Sequence, residues 1–167
     1  MVNPRPMSGT EGATHRLGGL EKDAKTGAIS TDAANHEQMV NLRREKIARI
    51  ADDIPALEVL GDCDADTILV GWGGTYGHLR TAAEELNAEG HKIAFAHFRY
   101  ITPRPANTAE VLGRYKKVIV AELNTGMFAD WLQCHFTNLN IKRINKVQGQ
   151  PFAVSEVKER TLKLMED

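Results

Sequence analysis

Residues 66–77, Asp-Thr-Ile-Leu-Val-Gly-Trp-Gly-Gly-Thr-Tyr-Gly, constrain the fold most, because they read as a buried strand running through a glycine turn into a helix. Thr67, Ile68, Leu69 and Val70 show no polar alternation, the pattern of a strand covered on both faces. Gly71, Gly73 and Gly74 permit positive φ angles and close backbone approach. Thr75 is then expected to cap a helix over 76–88, ended by Gly90, whose inner face is Leu79, Ala82, Ala83 and Leu86. The plan recurs. A strand over 92–97 leads through Pro103 and Pro105 to a short helix with Asn107 at the cap and Glu110 at the capping-box position. A strand over 117–122 leads through Asn124, Thr125 and Gly126 to a helix over 127–136 with Met127, Phe128, Trp131, Leu132 and Cys134 as its apolar positions. A strand over 143–147 leads through Gly149 and Pro151 to a last helix over 153–165, with Val154, Val157, Leu162 and Met165 inward. Four such units define an α/β protein with a parallel sheet, helices on both faces and right-handed crossovers. Residues 57–60 add a candidate edge strand.

Upstream the character differs. Pro4, Pro6, Gly9, Gly12, Gly18, Gly19 and Gly27 leave no period in residues 1–31 on which to build an element, so the segment is expected to be extended or mobile. From Asn35, a candidate cap with Gln38 at the box position, Met39, Val40, Leu42, Ile47, Ile50 and Ile54 recur at near-helical spacing. The other face, with Arg43, Arg44, Lys46, Arg49, Asp52 and Asp53, reads as solvated. The domain organisation expected is a connector arm over 1–34, a linker helix and edge strand over 35–60, and an α/β domain over 61–167.

A formal net charge of -1 gives no electrostatic reason to expect nucleic acid or an anionic membrane. No apolar run approaches the roughly 18 residues of a membrane span, and no charged-then-apolar leader opens the chain, which together suggest a cytoplasmic location. Cys63 and Cys134 form no CxxC pair and have no clustered histidines, so neither a disulfide framework nor a zinc site is expected. They read as one loop thiol and one buried small hydrophobe.

In sheets of this kind ligands sit at the carboxyl ends of the strands. The first such loop invites a dinucleotide reading, but Tyr76 stands where the third glycine belongs, and His97-Phe98-Arg99 ends the next strand without a ribose-binding acid. A phosphate contact or a structural turn remains. Glu122 ends a strand as a lone carboxylate, open to acid-base work or to ordering its loop. His97 and Arg99 could bind an anion or be satisfied locally. No nucleophile elbow, metal cluster or cysteine redox motif is present. The reading assigns no catalytic and no metal-ligating residue; Thr75, Arg99 and Asn124, placed at the carboxyl edge, are the cofactor-binding candidates.

Four loop motifs carry a family likeness. Gly71-Trp72-Gly73-Gly74-Thr75-Tyr76-Gly77, His97-Phe98-Arg99-Tyr100-Ile101-Thr102-Pro103, Glu122-Leu123-Asn124-Thr125-Gly126 and Lys146-Val147-Gln148-Gly149-Gln150-Pro151-Phe152 resemble, in order and spacing, the C-terminal part of alpha subunits of 2-oxoglutarate:ferredoxin oxidoreductase, also called 2-oxoglutarate synthase (KorA-like). Upstream, His15-Arg16-Leu17-Gly18-Gly19-Leu20-Glu21-Lys22-Asp23 and Asn35-His36-Glu37-Gln38-Met39-Val40 look like the connector and helix that precede that domain. The resemblance implies a transketolase C-terminal-like domain, a three-layer α/β/α sandwich about a mostly parallel five-stranded sheet. It also implies an enzyme that oxidatively decarboxylates 2-oxoglutarate with thiamine diphosphate and magnesium. Electrons pass through an iron-sulfur cluster to ferredoxin, and the acyl group leaves on coenzyme A.

Family alpha subunits carry a pyrimidine-side thiamine domain before this one, and the pyrophosphate site, metal site and cluster cysteines belong to the beta subunit. None of these is in the sequence. The expected role is therefore that of a piece of, or a lone C-terminal domain from, a larger subunit. It would build the alpha subunit, pack on the thiamine domain and the beta subunit, hold no cofactor of its own and catalyse nothing alone. The alternative is a free-standing module that binds a nucleotide or coenzyme A. A pure interaction domain would use Trp72, Phe98 or Phe152 as exposed anchors, although core burial is the commoner fate of such residues.

Overall fold

In the computed structural model, which describes residues 7–14 and 18–166, the apolar runs pair side by side into one five-stranded sheet. Pro4, Pro6 and the His15-Arg16-Leu17 part of the upstream motif lie outside the described residues. The chain divides into two compact units, Met1–Asp53 and Ile54–Asp167.

In the first unit an antiparallel bridge joins Lys22 to Ile29. Asp23 closes the intervening turn, accepting from the backbone N–H of Lys25 (3.0 Å) and from the N–H (2.7 Å) and hydroxyl (2.9 Å) of Thr26. These bonds hold its carboxyl below the usual range. Helix α1 spans Ala33–Ala48 and continues as a 3-10 turn over Arg49–Asp53. Its cap is Asp32, whose carboxylate accepts from the Asn35 N–H at 2.7 Å, rather than Asn35, which is buried in the first turn. The carboxylate of Glu21 binds Arg43 Nη1 at 2.6 Å and also pairs with His36. The near-helical spacing of apolar residues does not make a buried face. Val40, Ile47 and Ile50 are exposed, and Asn35 is the helix's one buried residue.

The second unit is built from β1 (Val59–Gly61), β2 (Thr67–Trp72), α2 (Tyr76–Ala88), β3 (Ala94–Phe98), α3 (Thr108–Gly113), β4 (Lys117–Glu122), α4 (Met127–His135), β5 (Ile141–Asn145) and α5 (Val154–Glu166). The strand order is β1-β3-β2-β4-β5, with β1 antiparallel and every other pair parallel. Register explains the two cores. Phe95, Leu69 and Ile119 lie in one row and pack under α2 and α5 with Leu79, Leu86 and Val157. Ala96, Val70 and Val120 form the next row, facing α3 and α4 through Leu112, Phe128 and Leu132. The result is the three-layer α/β/α sandwich. Each fully buried leucine, isoleucine or phenylalanine contributes about 1.5–3 kcal/mol of transfer free energy, so these rows dominate the stability of the unit.

Several local expectations are corrected. Asn107 makes no side-chain bond to its helix. Its amide instead exchanges two hydrogen bonds with the Leu57 backbone, accepting at 2.8 Å and donating at 3.1 Å, and so ties the approach to β1. In α4 the buried residues are Phe128, Ala129 and Leu132; Met127 and Cys134 are both exposed, because they fall off that stripe. Cys134 is thus not a core residue. Phe98 and Phe152 are only 1% exposed, which removes them as surface anchors.

Thr161, fully buried on α5, has a hydroxyl with no hydrogen-bond partner. Its isostere valine avoids that desolvation cost, so Thr161→Val is expected to stabilise the protein by about 1 kcal/mol in urea denaturation.

Candidate functional site

The carboxyl ends of β2, β3, β4 and β5 bring together the loops in which the candidate residues lie. At the end of β2 the backbone must pass close under α2. A Cβ on Gly71 would collide with the Leu79 side chain and stand 2.6 Å from Thr75 Oγ1, so any larger residue would force these two buried side chains to move. Of the three glycines there, Gly73 alone uses a positive φ, 59°. Thr75 is buried and does not cap α2 with its side chain. Its hydroxyl donates to the Trp72 carbonyl at 2.9 Å and accepts from the Trp72 N–H at 3.2 Å, closing the 3-10 turn Gly73–Thr75.

The centre of the edge is Glu122, the last residue of β4 and wholly buried. Its carboxylate accepts four hydrogen bonds: Trp72 Nε1 at 3.1 Å, Asn124 Nδ2 at 3.0 Å, and the backbone N–H groups of Phe128 and Ala129 at 2.8 and 2.9 Å. The last two are the orphan donors of the first turn of α4, where a carboxylate also meets the positive end of the helix dipole. Asn124 completes the turn, its Oδ1 accepting from the N–H of Gly126 (2.6 Å) and Met127 (2.9 Å). Gly126 sits at φ 107°, and a Cβ there would be 2.9 Å from Asn145 Nδ2. Glu122 thereby links the ends of two strands to a helix start. Both of its oxygens are taken up inside the protein.

His97, at the end of β3, is half-buried with its ring edge-on to Tyr76 at 5.1 Å. Burial pushes its pKa below the usual histidine value, partly opposed by a hydrogen bond to the Gly73 backbone, and nearby Arg99 pushes it further down. The unfolded chain therefore takes up a proton first as pH falls below about 6.5. Stability contributed by neutral His97 is present above that pH and is lost as pH falls toward the lower folded-state value. Replacing it, as His97→Gln, is expected to flatten the pH dependence of stability below about pH 6.5, measured by urea titration.

Arg99 is exposed and makes no hydrogen bond or ion pair among the described residues. The last loop is tied by Lys146, which binds Glu156 at 2.7 Å and the Pro151 carbonyl at 3.0 Å and holds the Glu156 carboxyl below its usual range. Of the three cofactor-binding candidates, Thr75 and Asn124 spend their polar atoms on local turns, and only Arg99 offers a free one. Among the described residues this edge does not fit thiamine diphosphate with a magnesium ion: its one acid, Glu122, is enclosed. The grouping of three candidate metal-ligating side chains, Asp62, Cys63 and Asp64, lies in the largely exposed turn before β2, at the other end of the sheet. No helix among the described residues is long and apolar enough to cross a membrane.

Sheet, layers and loop-closed carboxyl edge define a three-layer α/β/α domain. Residues 65–157 match the family model "Pyruvate:ferredoxin oxidoreductase core domain II", and the chain belongs to this family. It is 42% identical over 152 residues to the 2-oxoglutarate oxidoreductase subunit KorA of Mycobacterium tuberculosis, covering 90% of the chain and 23% of that protein. Against 2-oxoacid:ferredoxin oxidoreductase 2, subunit alpha, of Aeropyrum pernix the identity is 32%, over 99% of the chain and 26% of the relative. The chain thus spans about a quarter of the length of these curated relatives. Among solved structures it superposes with a TM-score of 0.84, at 31% identity, on 2-oxoglutarate:ferredoxin oxidoreductase from Magnetococcus marinus with 2-oxoglutarate, coenzyme A and succinyl-CoA bound, covering 96% of this chain and 28% of that one. The KorA-like resemblance and the fold class expected from the loop motifs both hold.

Proposed function

We propose that this chain is a structural and assembly domain of the alpha subunit of a thiamine-diphosphate-dependent 2-oxoacid:ferredoxin oxidoreductase, with 2-oxoglutarate as the oxoacid. The observation that carries the reading is the inward closure of the carboxyl edge on Glu122, which turns the usual ligand edge of an α/β sheet into a packed surface. The identity to KorA supports the choice of oxoacid. In the whole enzyme, thiamine diphosphate with magnesium supplies the carbanion chemistry on the partner domains, the iron-sulfur cluster carries electrons to ferredoxin, and coenzyme A takes the acyl group. This chain contributes rigid packing against the alpha thiamine domain and the beta subunit, in the cytoplasm. Thr75 and Asn124 act here by shaping their turns. The domain structure that goes with this role is an arm over 1–34, a linker over 35–60 and the α/β domain over 61–167.

One observation favours the free-standing ligand-binding alternative: the unpaired cation of Arg99. The two readings separate in a thermal shift experiment on the purified chain with coenzyme A, a nucleotide, or thiamine diphosphate and magnesium, and separately with the beta subunit. The assembly reading expects no saturable shift with the small molecules and a rise in Tm with the subunit. A saturable shift of several degrees with coenzyme A or a nucleotide, and none with the subunit, would overturn it.

A further inference from the structure

His97 is only half-buried, yet its Nδ1 is closed off from solvent and has no hydrogen-bond partner. The register of the sheet shows what that nitrogen faces. Gly71 of β2 stands beside His97, and a Cβ built on Gly71 would lie 3.6 Å from Nδ1. Glycine offers it no side chain. The oxygen that converges on the same point, Thr75 Oγ1, is spent on the carbonyl and the N–H of Trp72. The rest of the ring is held by Tyr76, edge-on at 5.1 Å, by Phe95 at 6.4 Å and by the Gly73 backbone. A neutral imidazole fits this seat. An imidazolium does not, because it carries an N–H at Nδ1 for which the closed seat has no free acceptor.

The charges around the ring do not make up for that loss. Arg99, two residues further along, opposes a proton on it. From α2, Arg80 lies 5.8 Å over the Tyr76 ring, binds the Tyr76 hydroxyl at 2.9 Å and is paired with Glu84. On the β1 side Glu58 is the residue next to the paired Val59, and it is exposed. The turn over 71–75 contains no titratable group. It does have room to move: Gly73, at φ 59°, and Gly74 are exposed, and a Cβ on either would meet nothing within 4 Å.

We propose that His97 is a proton-operated latch on the turn between β2 and α2. Its neutral ring, seated against Gly71 and Tyr76, keeps Gly73–Thr75 closed; protonation unseats the ring, draws on the Thr75 hydroxyl and opens the turn while the rest of the sheet stays folded. The device belongs to this chain's own fold and stands whether or not the chain assembles with a second subunit.

The test is amide hydrogen exchange of the full chain, followed by NMR at low denaturant, with the His97 ring titrated in the same samples. The Trp72 N–H, bonded to Thr75 Oγ1 within the turn, reports local opening. The Val120 N–H, on a wholly buried residue of β4, reports global unfolding. Corrected for the intrinsic rate, exchange at Trp72 is expected to accelerate about tenfold per pH unit below about pH 6.5, the slope of one linked proton, and to level off once the seated ring is protonated. It should depend little on denaturant, the mark of a local opening, whereas Val120 should show the denaturant dependence of global unfolding. His97→Gln should make exchange at Trp72 independent of pH in this range. Arg99→Gln, at an exposed site, removes the opposing charge, so the levelling-off should come at a higher pH and the total acceleration should shrink. A ring that titrates while exchange at Trp72 stays unchanged, or merely keeps pace with Val120, overturns the proposal. So does a His97→Gln variant with the wild-type pH dependence. If His97→Gln fails to fold, Arg99→Gln decides, and levelling-off at the wild-type pH overturns the latch.

Discussion

Glu122→Ala is expected to lower the unfolding free energy by about 3–5 kcal/mol, because it strips the acceptor from four donors at once. The first-turn N–H groups of Phe128 and Ala129 would be left buried without an acceptor, and the indole N–H of Trp72 and the amide of Asn124, on partly buried residues, would lose theirs. Each orphaned buried donor costs about 1–3 kcal/mol, and relaxation of the Asn124 turn recovers only part of the sum. Urea denaturation measures the loss as a lower midpoint at unchanged slope. Glu122→Gln serves as the graded control. It keeps the shape and one acceptor oxygen but turns an NH2 toward donors, so a loss of about 2–3 kcal/mol is expected. A loss below about 1 kcal/mol for the alanine variant would mean that the carboxylate does not organise the edge.

The second large effect comes from the ring that packs beside this carboxylate. Phe128 is 2% exposed, with its ring centroid 4.9 Å from that of Phe98, 5.8 Å from Trp131 and 6.3 Å from Trp72. Phe128→Ala opens a cavity among those aromatics and is expected to cost about 3–5 kcal/mol. The backbone N–H that binds Glu122 survives the change, so the variant probes packing while Glu122→Ala probes capping. Both groups pin the start of α4 to the ends of β2 and β4. The double variant should therefore be less destabilised than the sum of the singles. Strict additivity would show two independent fastenings.

How far the sequence predicted these features depended on how local their cause was. β4 and α2 fell where the apolar runs placed them, because an uninterrupted Val118-Ile119-Val120 and a regular Leu79, Ala82, Ala83, Leu86 stripe each report burial directly. β5 was harder, starting at Ile141 rather than at residue 143. As an edge strand it buries only Ile144 fully, which leaves little pattern to read. Asn107 has the residue type of a helix cap, yet its amide serves Leu57, fifty positions upstream. No local rule finds that pairing. The same holds for Glu122 and Trp72: a strand-end acid was visible, but its indole partner, also fifty positions away, was not. Trp72, Phe98 and Phe152 were the anchors of the interaction-domain alternative, with core burial their commoner fate; Phe98 and Phe152 are buried and Trp72 is partly buried. Met127, expected among the apolar positions of its helix, is 67% exposed because the buried stripe of α4 runs through Phe128, Ala129 and Leu132.

The most direct test of the assembly role is reconstitution. The chain would be co-expressed with the beta subunit and an alpha thiamine domain, and ferredoxin reduction dependent on 2-oxoglutarate and coenzyme A would be assayed with and without residues 66–167. The account predicts activity only when all pieces are present and none from the isolated chain. Full activity without residues 66–167, or turnover by the chain alone, would contradict it.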